Sequence, residues 1–249
     1  MTEQLGLFEA PAAVAHELPR FALRVRESRR ARRLILRVVP PHTFELVVPR
    51  GTRSADIASF VHEHRAWIED ARRELAHAPA RSEELPTEIR LAAIEENWRV
   101  EYRQATSGGS RYRVEGSTIV VHARDASGRG AVEALREWLL DRADYHLVPW
   151  LLREASALGH RPRRVTVRVQ RTRWGSCSNA GTISLNATLL FLPPPLVRYL
   201  FVHELCHLVA LNHSRRFWSA VARFEPGYEA LDRDLKAAWR DVPLWAHRR

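Results

Sequence analysis

His203, Glu204 and His207 stand in the segment FVHELCHLVALNHSRRFW, residues 201–218. A spacing of four puts both histidines on one face of a helix, a turn apart, where two neutral imidazoles reach one metal ion. Glu204 completes HExxH, the pattern in which the carboxylate takes a proton from a water that the ion has made acidic. Phe201, Val202, Leu205, Cys206, Leu208 and Val209 between and around them are apolar, as on a helix buried on its other sides. His213, six residues after His207, offers a third nitrogen and leaves a fourth position open. To bring it back the helix must end. Metzincins have glycine where Ala210 stands here, so Asn212, tolerant of the left-handed conformation, is expected to make the turn. Met1 is the sole methionine, which removes the Met-turn and with it that family. Cys206 points away from the histidine face and reads as a small buried hydrophobe.

These residues need a scaffold. The chain has 249 residues, 45% hydrophobic, enough for a substantial core. No apolar run reaches the roughly 20 residues of a membrane span, and the amino terminus lacks a signal-peptide pattern, so a cytoplasmic protein with no membrane partner is expected. Cys177 and Cys206 are expected to be reduced thiols. The net charge of +10, with Lys236 the sole lysine among 39 basic residues, points to an anionic partner, nucleic acid above all.

Residues 1–18 read as a flexible tail. Residues 19–130 read as a β-rich region: FALRVRES, ARRLILRVVP and TFELVVPR form a small antiparallel sheet, SADIASFVHEHRAWIEDARRELAHA one helix capped at Ser54, and further short strands follow Pro86. Residues 131–249 read as the catalytic domain, with a long helix from Ala131 to Gly159 bent at Pro149, then RRVTVRVQ and GTISLNATLLFL as strands around the loop RTRWGSCSNAG. Pro193, Pro194 and Pro195 open the histidine helix. Trp174 is expected to pack in the core, and Asn186 to hold a loop through its side chain.

Taken together, RWGSCS (173–178), Leu185-Asn186, the prolines, HELCH, His213-Ser214, Phe217-Trp218, Pro226 and Tyr228, with SRRARRLILRV and VVPRG upstream, resemble the YgjP-like metallopeptidase family. The resemblance covers most of residues 21–235. It implies an α+β, zincin-like domain whose active-site helix lies beside a mixed or antiparallel sheet, preceded by the β-hairpin and helix region. It implies Zn2+ at His203, His207 and His213, Glu204 as base, a protein or peptide substrate, and an edge strand for an extended peptide. Arg173 and Tyr228 are candidate transition-state stabilisers by residue type and by this resemblance. The family is similar to WLM and SprT-type proteases, some of which degrade proteins trapped on DNA.

Gln4, Leu5, Leu7 and Phe8 look like the pentapeptide that docks bacterial proteins on the DNA-polymerase sliding clamp, with Gly6 in place of the usual polar third residue. With the net charge, this suggests a peptidase recruited to DNA. The alternatives are a nucleic-acid-associated protein with a structural zinc, resting on the arginines of residues 24–37, and a zinc hydrolase of a non-peptide substrate. The carboxylate beside the first ligand favours the enzyme.

Overall fold

The computed structural model describes residues 23–29, 31–39, 43–77, 85–106, 108–124 and 128–247, so Gln4, Leu5, Leu7 and Phe8 lie outside the described residues. The chain divides into two compact units, 1–80 and 81–249.

In the first unit, β1 (Leu23–Ser28), β2 (Ile35–Val39) and β3 (Thr43–Pro49) form a sheet in the order β1-β3-β2. β2 pairs antiparallel with β3, as a hairpin must, but β1 pairs parallel with it, so the sheet is mixed and not antiparallel throughout. Strand alternation sends Phe44, Leu46 and Val48 to one face, where they bury against Ile57 and Val61 of α1 (Ser54–Glu63) and Ile68 of α2 (Arg65–His77). The single helix expected here is two. The break falls at His64, the C-cap of α1, whose Nδ1–H donates to the Phe60 carbonyl at 2.8 Å and whose ring stacks on Phe60. On the other face Glu45, 7% exposed, accepts from Arg37 Nε at 2.9 Å and pairs with Arg26 at 3.5 Å.

In the second unit, β4 (Glu88–Leu91), β5 (Glu96–Gln104), β6 (Arg111–Glu115) and β7 (Thr118–Ala123) run in the order β4-β5-β7-β6 with β5 parallel to β7. Ile89, Trp98, Ile119 and Val121 share a core with Leu135, Trp138 and Leu139 of α3 (Arg129–Ala157). Trp98 and Trp138 meet edge to face at 5.6 Å. The sheet expected to belong with the amino-terminal region therefore packs on α3, and the two compact units divide near residue 80. That helix continues through Pro149, and its second half covers a third sheet.

This sheet is mixed: β8 (Arg164–Arg168) runs parallel to the central β10 (Thr182–Asn186), and the edge strand β9 (Gly175–Cys177) antiparallel to it. β9 arises inside the segment expected to be a loop. β10 stops sooner than expected, because Asn186 caps a 3-10 turn over Ala187–Phe191 by accepting from the Thr188 N–H. Then come α4 (Pro194–Cys206), α5 (Arg215–Phe224) and α6 (Tyr228–Ala237). Among the described residues no helix is long and apolar enough to cross a membrane.

Candidate metal centre

Pro194 and Pro195 start α4, where missing N–H groups cost nothing, and Leu196, Val197, Tyr199, Leu200, Phe201, Val202 and Leu205 bury it on nearly every side. Arg198 ties it to its neighbours, pairing with Glu154 of α3 at 3.4 Å and with Glu225 at the end of α5. His203 and Glu204 occupy its last turn and His207 is its C-cap.

The return of His213 needs no left-handed residue. Glu95 is the sole non-glycine with positive φ among the described residues, so neither Ala210 nor Asn212 adopts the conformation expected of the turn. The helix instead tightens: Leu208 N–H donates to the Leu205 carbonyl at 3.0 Å, and Val209 and Ala210 both donate to Cys206 at 3.0 and 3.1 Å. A bond from Ser214 N–H to the Asn212 carbonyl, 2.8 Å, then turns the chain tightly about His213. Alanine at 210 suffices because the bend is spread over several residues.

The result gathers three imidazoles. The potential ligand nitrogens of His203, His207 and His213 lie within 4.8 Å of one another, and the Nε2 atoms of His203 and His213 are 3.1 Å apart. Nitrogens around a tetrahedral zinc are separated by about 3.4 Å, so the set needs only a small closing movement. Two ring nitrogens 3.1 Å apart are placed to share one cation. The turn also sets a tautomer, since His207 Nδ1–H donates to the Ala210 carbonyl at 3.1 Å and leaves Nε2 its lone pair. Burial, then the neighbouring imidazoles, lowers the pKa of His203 to about 4 and keeps it in the neutral, ligating form. The donor set fits a zinc ion.

Phe217 of α5 is fully buried beneath all three rings, stacked on His207 at 4.4 Å and edge-on to His203 and His213 at 4.9 and 4.8 Å. Trp218 stacks on exposed His213 at 5.5 Å, and Tyr228 on Trp218 at 5.0 Å, which brings Tyr228 to the rim of the site. In the sequence Phe217 and Trp218 stood out only as elements of the family resemblance, with no role attached; their helical register toward the histidines is a tertiary fact.

Glu204 is 5% exposed, and its Oε2 has no hydrogen-bond partner among the described residues. Burial pushes its pKa up to about 8, with the charge of Arg173 pulling the other way, which places Arg173 within electrostatic reach. The other side of the carboxylate rests on Gly175, where a Cβ would come within 2.9 Å of Oε1. Gly175 is thus a site residue that residue chemistry could not flag, having no side chain to react. The strand that carries it is fixed from both sides. Asn186, fully buried, donates to the carbonyls of Gln170 and Arg173 at 3.1 and 2.9 Å, and Trp174 donates to the Leu235 carbonyl at 2.9 Å while stacking on Trp239. Both behave as their sequence reading expected. Cys206 is fully buried, and desolvation lifts its thiol to about 11, which suits packing and not nucleophilic work.

The model of a family described as YgjP-like, metallopeptidase domain, matches residues 32–238. The crystal structure of the metallopeptidase zymogen of Pyrococcus abyssi abylysin is similar at 28% identity over 39% of this chain and 98% of that one, with a TM-score of 0.34. No curated protein matches.

Proposed function

This chain belongs to the YgjP-like metallopeptidase family, and on that premise we propose that it is a cytoplasmic, zinc-dependent peptidase hydrolysing peptide bonds in protein substrates. The observation that carries the proposal is the convergence of three imidazoles beside a buried carboxylate oxygen that nothing else uses. A structural zinc site would have no need of that carboxylate, and leaving it buried and unpaired would be costly.

His203, His207 and His213 would hold the metal. When bound, zinc supplies a Lewis acid and makes water acidic enough to act as a nucleophile at neutral pH. Glu204 Oε2 accepts the proton of the attacking water and later delivers it to the leaving amine. Burial, which raises the pKa of Glu204 to about 8, suits it to giving up that proton again near neutral pH. β9, an edge strand with one unpaired side, offers backbone to an extended peptide next to Glu204. Arg173 and Tyr228 are assigned the developing oxyanion, Arg173 because its charge is felt at Glu204 and Tyr228 because it stacks on Trp218, the ring that meets His213.

The tail residues Gln4, Leu5, Leu7 and Phe8 are proposed to recruit the enzyme to the sliding clamp, and so to proteins bound on DNA. A pull-down with purified clamp checks this: Leu7→Ala and Phe8→Ala lose binding if it is right and bind like the intact chain if it is wrong. For the peptidase itself, cleavage of an unfolded protein should vanish when a chelator strips the metal and return with stoichiometric zinc. Undiminished cleavage by metal-free protein would overturn the assignment.

A further inference from the structure

The charge of this protein is unevenly matched. Glu45 holds Arg26 and Arg37, Glu96 holds Arg142, and Glu154 and Glu225 hold Arg198, so many arginines are consumed by internal acids. Between Glu154 and Glu204 the sequence has no acidic residue at all, yet it places Arg161, Arg163, Arg164, Arg168, Arg171 and Arg173 there. All six are exposed, and among the described residues no hydrogen bond or ion pair ties their guanidinium groups.

The third sheet organises them. Val165 and Val167 of β8 pack against the core, so alternation sends Arg164, Thr166 and Arg168 to the opposite face. The register aligns Thr166, Ser184 and Ser176 in one row across all three strands, with Arg164 beside Thr182 and Arg168 beside Asn186 in the flanking rows. Ser176 and Ser184 are half-buried and the Thr166 hydroxyl is covered, so what this face presents is Arg164 and Arg168, whose backbone positions are about 13 Å apart along the strand. Asn186 donates to the Gln170 carbonyl and so fixes the backbone just before Arg171, beside Arg168, while Arg173 serves the Glu204 side. The alignment includes no carboxylate, aromatic or large apolar residue.

We infer that the outer face of the β8–β10–β9 sheet binds the sugar–phosphate backbone of a nucleic acid. Protein partners are gripped through an apolar or aromatic centre, which these rows lack, whereas a polyelectrolyte needs only unpaired cations. Guanidinium forks match phosphate oxygens in pairs. The opposite side of this sheet bears Gly175 against Glu204, so a nucleic acid held here lies across one sheet from the catalytic carboxylate and leaves it open. The inference builds on the peptidase reading, giving it a place where proteins carried on nucleic acid would be met.

The test is fluorescence anisotropy with a labelled DNA duplex, its single strand and the matching RNA, using full-length, zinc-loaded Glu204→Gln protein so that binding is separated from cleavage. Arg164→Glu with Arg168→Glu in that background should weaken binding about 10-fold or more and lower the slope of log affinity against log salt by about 2. Arg24→Glu with Arg32→Glu, in the first unit, should change affinity less than the sheet pair does. With Glu204 restored, the Arg164/Arg168 pair should keep wild-type cleavage of a free peptide, which also shows that it folds. Equal affinity of the pair and its parent, or equal competition by polyglutamate at matched charge, would overturn the proposal. Loss of peptide cleavage by the wild type would instead overturn the peptidase reading and leave the nucleic-acid result standing.

Discussion

Replacing Gly175 by alanine is the smallest change that should displace the Glu204 carboxylate, the proposed base, from the proposed metal site. Gly175 does not have a positive φ, so alanine can adopt its backbone and the effect is one of space alone. The new Cβ would lie 2.9 Å from Glu204 Oε1, 3.0 Å from Cγ and 3.2 Å from Cδ. Reaching ordinary contact at 3.4 Å moves the carboxylate by about half an ångström. Because the end of a flexible side chain gives way before backbone does, the fold should lose little, at the low end of the ~1–3 kcal/mol typical of overpacking. Catalysis should lose more, since a misplacement of order 1 Å costs about 10²-fold; a fall in kcat of about 10- to 100-fold is expected. Zinc content should stay at one per chain, because no ligand is touched. The assay is steady-state cleavage of an unfolded protein alongside metal analysis and thermal unfolding. Glu204→Asp supplies the cross-check: its shorter side chain withdraws from the new methyl, so Gly175→Ala should add little to its defect. Full kcat in a zinc-loaded Gly175→Ala protein would refute the role given to this glycine.

Phe217→Ala removes the ring beneath all three histidines and should cost about 3–5 kcal/mol in thermal unfolding. Chelator competition should show zinc affinity reduced about 10- to 100-fold, as when other outer contacts of a ligand set are lost; an unchanged affinity would show that the imidazoles hold themselves. Away from the site, burial works to raise the Glu96 pKa, but hydrogen bonds from Arg142 and Trp98 outweigh it and hold the carboxyl below its ordinary value. A depressed folded-state pKa contributes stability above the unfolded value and loses it as pH falls through the folded one. Urea unfolding of wild type and Glu96→Gln should therefore differ at pH 7 and converge in acid below the folded pKa, and a constant difference would contradict this.

What could be read in the residues was what spacing decides locally. His203 and His207 share a face because a helix turns once in about four residues, and His213 lies close enough in sequence to return. The β2–β3 hairpin was legible from its turn, and α4 from its prolines. The parallel pairing of β1 with β3 was not, since β1 reaches past the neighbouring β2 strand, and no local pattern records that. The same holds for the placement of the β4–β7 sheet on α3. At Asn212 the expected left-handed residue is absent because 3-10 tightening and a bond across His213 share the bend. Gly175 matters through what it lacks, and Phe217 through a register fixed only when α5 docks on α4.

The most direct test of the central claim is zinc content and cleavage rate measured together on Glu204→Gln. If this carboxylate moves the proton while the histidines alone hold the metal, the variant binds one zinc per chain and its kcat falls by about 10²- to 10⁴-fold. Full zinc with undiminished cleavage would contradict the account.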